Sequence, residues 1–177
     1  MKNKTLFLLR HAKSDLPSLN SNDFNRPLTK IGNNSAKIVG KHIAELQNAP
    51  ALIICSASKR TVDTAKIAIK EFKSEPTVSY EKELYEADEI TLLTRIKKIS
   101  EKNNNVMIIG HQPTIQNVAS FLIFNKNSTE FNQLNAKFST CAFAELIFVN
   151  LEWKNIRENS AKINKFTRPG DLMDESD

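Results

Sequence analysis

Glycine, cysteine and aromatic side chains are all scarce in this sequence. Its four glycines form neither GxGxxG nor GxxxxGKS/T, which excludes the usual glycine-rich cradles for nucleotide phosphates. The two cysteines, Cys55 and Cys141, lie far apart in the apolar runs ALIICS and STCAFAEL. Such placement suits buried, reduced thiols better than a disulfide or a metal knuckle, so a cytoplasmic setting is expected. Aromatic content is 7%, the basic residues are spread along the chain, and no DNA- or RNA-binding motif occurs, so no nucleic acid is expected as a partner. The run Leu6 to Leu9 is far below the ~20 residues of a membrane span and shorter than the about 7–15 of a secretory signal, so no membrane partner or export is expected either.

What is present is enough for one domain with a core: 177 residues, 40% hydrophobic, read as a single domain over 1–177. Net charge is +5, which makes an anionic partner plausible without naming one. Apolar runs bounded by polar residues mark strands at Thr5 to Leu9, Ala51 to Cys55, Val106 to Ile109 and Ala142 to Val149, with a weaker one at Thr77 to Tyr80. Helical spacing falls between them. Thr29 is placed as an N-cap before Ile38, Val39, Ile43 and Leu46; Val62, Ala65, Ile69 and Phe72 repeat the pattern; Ile90, Leu93 and Ile96 give a third helix, and Pro113 opens a fourth. Strands apolar on both faces, alternating with helices, predict an α/β fold with a mostly parallel sheet covered on both sides. From residue 150 the chain turns polar, and its end is expected to fray from about 170.

On that scaffold the polar residues gather at one edge. Arg10 and His11 follow the first strand, Arg60 comes five residues after the second, and His111 two residues after Ile109. Carboxyl ends of parallel strands are where ligands bind in open α/β sheets, and the helices that follow aim their N-termini there. Two arginines and two histidines around one cleft make an anion trap, and phosphate best matches forked guanidinium donors. A histidine flanked by guanidinium groups is disfavoured as imidazolium, so His11 should be neutral and nucleophilic at neutral pH. His42, inside a predicted helix, reads as structural, and Lys13 and Ser14 as hydrated neighbours of the cleft. With only His11 and His111 left and no Cys or acid at ligand spacing, neither a metal nor a cofactor is expected.

The segments LLRHAKSD, DFNRPLTKIG, CSASKRTVDTA, ELYEADE and IIGHQPTI, within about residues 4–150, resemble in order and spacing the histidine phosphatase superfamily, with its phosphoglycerate mutase-like fold. They are most similar to its SixA-type phosphohistidine phosphatase branch. Ala12 stands where the wider superfamily commonly has glycine. The resemblance implies a covalent mechanism in which His11 takes the phosphoryl group, Arg10 and Arg60 hold its oxygens, and His111 hydrogen-bonds them. It also implies that Arg26, in RPLT, lies near the phosphate. Members that cleave phosphate monoesters add a carboxylic acid; the matching region YEKELYEADE makes Glu83 the candidate general acid, with Glu86 and Asp88 as alternatives. The expected substrate is phosphohistidine on a protein, with inorganic phosphate or another oxyanion also binding the cleft. Two alternatives are a phosphomonoesterase acting on small phosphate esters or sugar phosphates, and a non-catalytic phosphate-binding module.

Overall fold

The apolar runs assemble as one sheet whose two faces are both buried. The computed structural model describes residues 2–16 and 22–173, and among them six strands pair in the order β3-β2-β4-β1-β5-β6. These are β1 (Lys4–Arg10), β2 (Leu52–Ser56), β3 (Thr77–Glu81), β4 (Asn105–Gly110), β5 (Phe143–Phe148) and β6 (Lys162–Thr167). Strands β3, β2, β4 and β1 run parallel, whereas β5 is antiparallel to β1 and β6 to β5. The crossovers carry α1 (Lys30–Glu45), α2 (Lys59–Ile69), α3 (Glu89–Lys97) and α4 (Thr114–Leu122), followed by α5 (Thr129–Ala136).

Alternation along the strands sorts side chains between two cores. Leu6 and Leu8 of β1 join Val106 and Ile108 of β4 beneath α3, α4 and α5, while Phe7, Leu9, Met107 and Ile109 face α1 and α2. Each such side chain, fully buried, contributes about 1.5–3 kcal/mol to folding. The consequence for function is positional. Because β1, β2 and β4 are parallel neighbours, their carboxyl ends, and the loops that follow, open on the same edge of the sheet.

Several elements depart from the sequence reading. Helix α4 begins at Thr114, with Pro113 just ahead of it. Strand β6 lies in the stretch read only as polar: its buried apolar residues Ile163 and Phe166 are three apart, because a bulge at Asn164, opposite Glu145 and Leu146, interrupts the alternation. Helix α5 buries Leu134 alone, leaving almost no periodic signal. The end expected to fray is held through Leu172, which packs on the α1 side of the sheet, while the Arg168 N–H donates to Asp171 at 2.8 Å; residues 174–177 lie outside the described part. No helix among the described residues is long and apolar enough to cross a membrane.

The RPLTKIG stretch has a packing reason. Thr29 caps α1, its hydroxyl accepting from the Gly32 N–H at 3.0 Å, while its own N–H donates to the Lys13 carbonyl at 2.9 Å. Gly32 thereby lies against the segment after β1 so closely that a Cβ there would sit 2.0 Å from the Lys13 oxygen. Gly32→Ala is therefore expected to destabilise the fold by about 1–3 kcal/mol through overpacking against backbone, despite the roughly 1 kcal/mol that alanine adds to a helix interior. Urea unfolding checks this; unchanged or raised stability would contradict the close approach.

Candidate active site

Strand β1 ends where its backbone hands over to two neighbours. The Arg10 N–H donates to the Ala142 carbonyl and the His11 N–H to the Gly110 carbonyl, each at 3.1 Å. The Cys141 N–H, on a residue with φ of 61°, donates back to the carbonyls of Arg10 and His11 at 3.1 and 3.0 Å. One residue further, the Ala12 N–H donates to the Thr64 hydroxyl at 3.0 Å, and that hydroxyl donates to the Arg60 carbonyl at 2.6 Å. A single side chain of α2 thus ties the His11 loop to the turn carrying Arg60. The Ala12 methyl is fully buried within the core on the α1 and α2 side.

The His11 ring is fixed in one tautomer. Its Nδ1 lies 2.8 Å from the Ala12 carbonyl oxygen, which can only accept, so Nδ1 carries the proton and Nε2 keeps its lone pair. Burial, reinforced by the charges of Arg60, Arg10 and Arg26, pushes the His11 pKa down to about 4, although the bond to Ala12 works the other way. His111 stands beside it with ring centroids 5.4 Å apart, and burial together with His11 and Arg60 pushes its pKa down to about 3. The His111 Nε2 is 2.8 Å from the buried Ser56 hydroxyl at the end of β2.

The guanidinium groups are held from behind. Arg10 donates to the Phe138 carbonyl at 2.8 Å, and burial lowers its pKa. Arg60, only 6% exposed, donates to the Asp23 carbonyl at 2.7 Å and to its carboxylate at 3.1 Å. Arg26 donates to the same carboxylate at 2.8 Å and to the Asp15 carbonyl at 2.7 Å. Tyr85 donates its hydroxyl to Asp23 at 2.7 Å, and its ring meets His111 edge-on at 5.7 Å. That hydroxyl, with Arg60 and Arg26, holds the Asp23 carboxyl below the usual carboxylate range. Three buried nitrogens have no partner, Arg10 Nε, Arg60 Nε and His111 Nδ1. The two guanidinium N–H groups among them are buried donors whose hydrogen-bonding capacity an anion would satisfy.

The structure therefore brings Arg10, His11, Arg26, Arg60 and His111 together. It separates Glu83 from them. Glu83 sits on the turn Lys82–Leu84 and lines a groove of about 360 Å³ with Ile90, Arg95 and Lys98 on the flank of α3. Glu86 and Asp88 instead line a groove of about 450 Å³ that includes Arg60 and His111. Asp88 caps α3, and the hydrogen bond from Thr91 holds its carboxyl low, so it is ionised at neutral pH and cannot donate a proton there. Lys13 is exposed, and Ser14 accepts from Arg26 at 3.2 Å. Among the described residues no group of three His, Cys, Asp or Glu is placed to hold a metal. Sequence reasoning missed Asp23, Tyr85, Ser56 and Thr64. The one available signal was the run of buried hydroxyls in CSASKRTVDTA, since a buried hydroxyl needs a partner.

The comparisons with known proteins bear on family and fold. The family model for the histidine phosphatase superfamily (branch 1) matches residues 6–92. An uncharacterized protein of Mycobacterium leprae is 30% identical over 167 residues, 91% of this chain and 99% of that protein. The chain belongs to the histidine phosphatase superfamily. A protein provisionally named phosphohistidine phosphatase SixA, from Nakamurella multipartitia, shares the fold with a TM-score of 0.83, at 24% identity over 96% of this chain and 98% of that one. The protein histidine phosphatase SixA complexed with tungstate gives a TM-score of 0.76, at 18% identity over 95% of this chain and 99% of that one.

Low imidazole pKa values have a direct readout. A pH titration followed by NMR of the ring protons should find His11 and His111 neutral down to about pH 5, with titration near 4 and 3. A bound oxyanion favours the imidazolium, so tungstate should raise both values. Titration of His11 near its reference of about 6.5 would contradict the buried, cation-flanked setting.

Proposed function

We propose that this protein is a metal-independent phosphatase that removes phosphoryl groups from phosphohistidine on a protein, through a covalent intermediate on His11. The observation that carries the reading is the bare, neutral Nε2 of His11, set among Arg10, Arg60, Arg26 and His111 by the Ala12 carbonyl. In the first step the Nε2 lone pair forms a bond to phosphorus as the substrate P–N bond breaks, and the departing imidazole, protonated beforehand, leaves neutral. In the second, a water oxygen attacks phosphorus, the P–Nε2 bond breaks, and orthophosphate leaves while the water proton passes to phosphate or solvent. Arg10, Arg60 and His111 stabilise the charge on the equatorial oxygens without reorganising, since their positions are set by Phe138, Asp23 and Ser56. Arg26, bonded to Asp23, adds positive charge that acts on His11.

Leaving-group chemistry supports the substrate. A serine alkoxide must be protonated as it departs, and Asp23 and Asp88 are both held ionised. A phosphoramidate nitrogen needs no such acid. The SixA-named neighbours, one of them holding tungstate, point the same way. The buried free thiols Cys55 and Cys141 support a reducing, cytoplasmic setting. Glu86, on the wall of the groove shared with His111, favours the second reading, a phosphomonoesterase that uses it as acid.

Initial rates on neutral-flanked phosphohistidine and phosphoserine peptides and a small aryl phosphate separate the two. The proposal expects kcat/KM for phosphohistidine to lead by at least about tenfold, or ~1.4 kcal/mol of barrier; faster phosphoserine turnover would favour the monoesterase. Turnover should also persist after dialysis against chelator and be inhibited competitively by tungstate. Loss of turnover on chelation, restored by zinc or magnesium, would overturn the metal-free mechanism.

A further inference from the structure

The groove leading to Arg60 and His111 carries charge of one sign along its rim. Apart from those two residues, the carboxyl groups lining it are Asp23, Glu86, Asp88 and Glu89, and among the described residues no lysine lines it. Asp23 is engaged by Arg26, Arg60 and Tyr85. Asp88 is exposed and Glu89 half-buried at the start of α3, and hydrogen bonds from Thr91 and Asn117 respectively hold both carboxyls below the usual range. The α3 N-terminus offsets only a fraction of a charge. Next to this rim, Arg60 is more than nine-tenths buried and keeps an unpartnered Nε, so the same groove reaches an anion-binding floor.

We propose that this groove selects a phosphorylated protein segment in which basic side chains flank the phosphoryl-bearing residue. The inference rests on the reading that the cleft takes phosphoryl groups from proteins. A ligand that fits both parts is anionic at its inner end and cationic just outside. A lysine or arginine a residue or two from the phosphorylated position meets Glu86 and Glu89, whereas an acidic neighbour, or a small ester with a second anionic group, meets like charge. The rim therefore acts against small doubly anionic substrates as well as in favour of basic segments.

The test uses matched peptides that differ only in flanking residues, Lys/Arg or Glu/Asp, made once around phosphohistidine and once around phosphoserine. At about 50 mM salt the basic-flanked member of each pair that turns over should have the higher kcat/KM, by about tenfold and mainly through KM, and the ratio should shrink at about 500 mM as the rim is screened. In the double variant Glu86→Gln/Glu89→Gln, with folding checked by thermal unfolding, the ratio should fall to within about twofold. If that variant does not fold, the salt dependence in wild type decides. Equal rates on the two flanks, or a preference that survives both the double variant and high salt, would overturn the proposal. Turnover of the phosphoserine pair alone, with the basic preference intact, would sink phosphohistidine as substrate and leave the groove's selectivity standing. Phosphohistidine turnover indifferent to flanks would do the reverse.

Discussion

One hydrogen bond sets the chemistry of this cleft, that between His11 Nδ1 and the carbonyl of Ala12. A carbonyl oxygen has no proton to give, so the bond determines which ring nitrogen is protonated and leaves Nε2 with its lone pair, the atom proposed as nucleophile. The bond depends in turn on the course of the backbone after β1. That course is held by Gly110 and Cys141 on one side, by Thr64 beneath, and by the close passage of α1 at Gly32 against Lys13. Much of the local architecture thus serves to keep one carbonyl in place.

Around it the fold gathers buried cations and keeps them from repelling one another into solvent. Asp23 does much of this. Its half-exposed carboxylate joins Arg26, Arg60 and Tyr85, so two guanidinium groups share one counter-charge. Burial costs charged groups their hydration unless they are paired, and Asp23 offsets part of that cost while leaving Arg60 Nε and Arg10 Nε unpaired. Burial, reinforced by the same cations, keeps the two imidazoles neutral. A site in which the nucleophile is uncharged and the surrounding donors are fixed suits a phosphoryl group, whose charge in the transition state is spread over its outer oxygens.

The residues that carry strong periodicity or stand at strand ends were legible from the sequence. Leu6 to Leu9 and Val106 to Ile109 are buried on both faces and read as continuous apolar runs, so the central strands, and with them Arg10, His11 and His111, could be placed. Strand β6 could not, because its bulged pairing puts Ile163 and Phe166 out of alternation, and α5 buries too little to show. Glu83 and Glu86 are only three residues apart, yet they face different grooves, because Glu83 sits within the short turn Lys82–Leu84 and Glu86 itself is left-handed, with φ of 59°. Spacing alone cannot reveal such a turn. Asp23 was likewise hidden: its role appears only when Arg60 and Tyr85, both distant in sequence, converge with nearby Arg26 on one carboxylate.

The central claim is that His11 Nε2 accepts the phosphoryl group. Rapid quenching during turnover of labelled substrate, followed by mapping of the phosphorylated residue and of the ring nitrogen that bears it, tests this most directly. The account predicts an alkali-stable, acid-labile phosphoryl group on Nε2 of His11, absent from His11→Ala. Label on another residue, on Nδ1, or persisting unchanged in His11→Ala would contradict it.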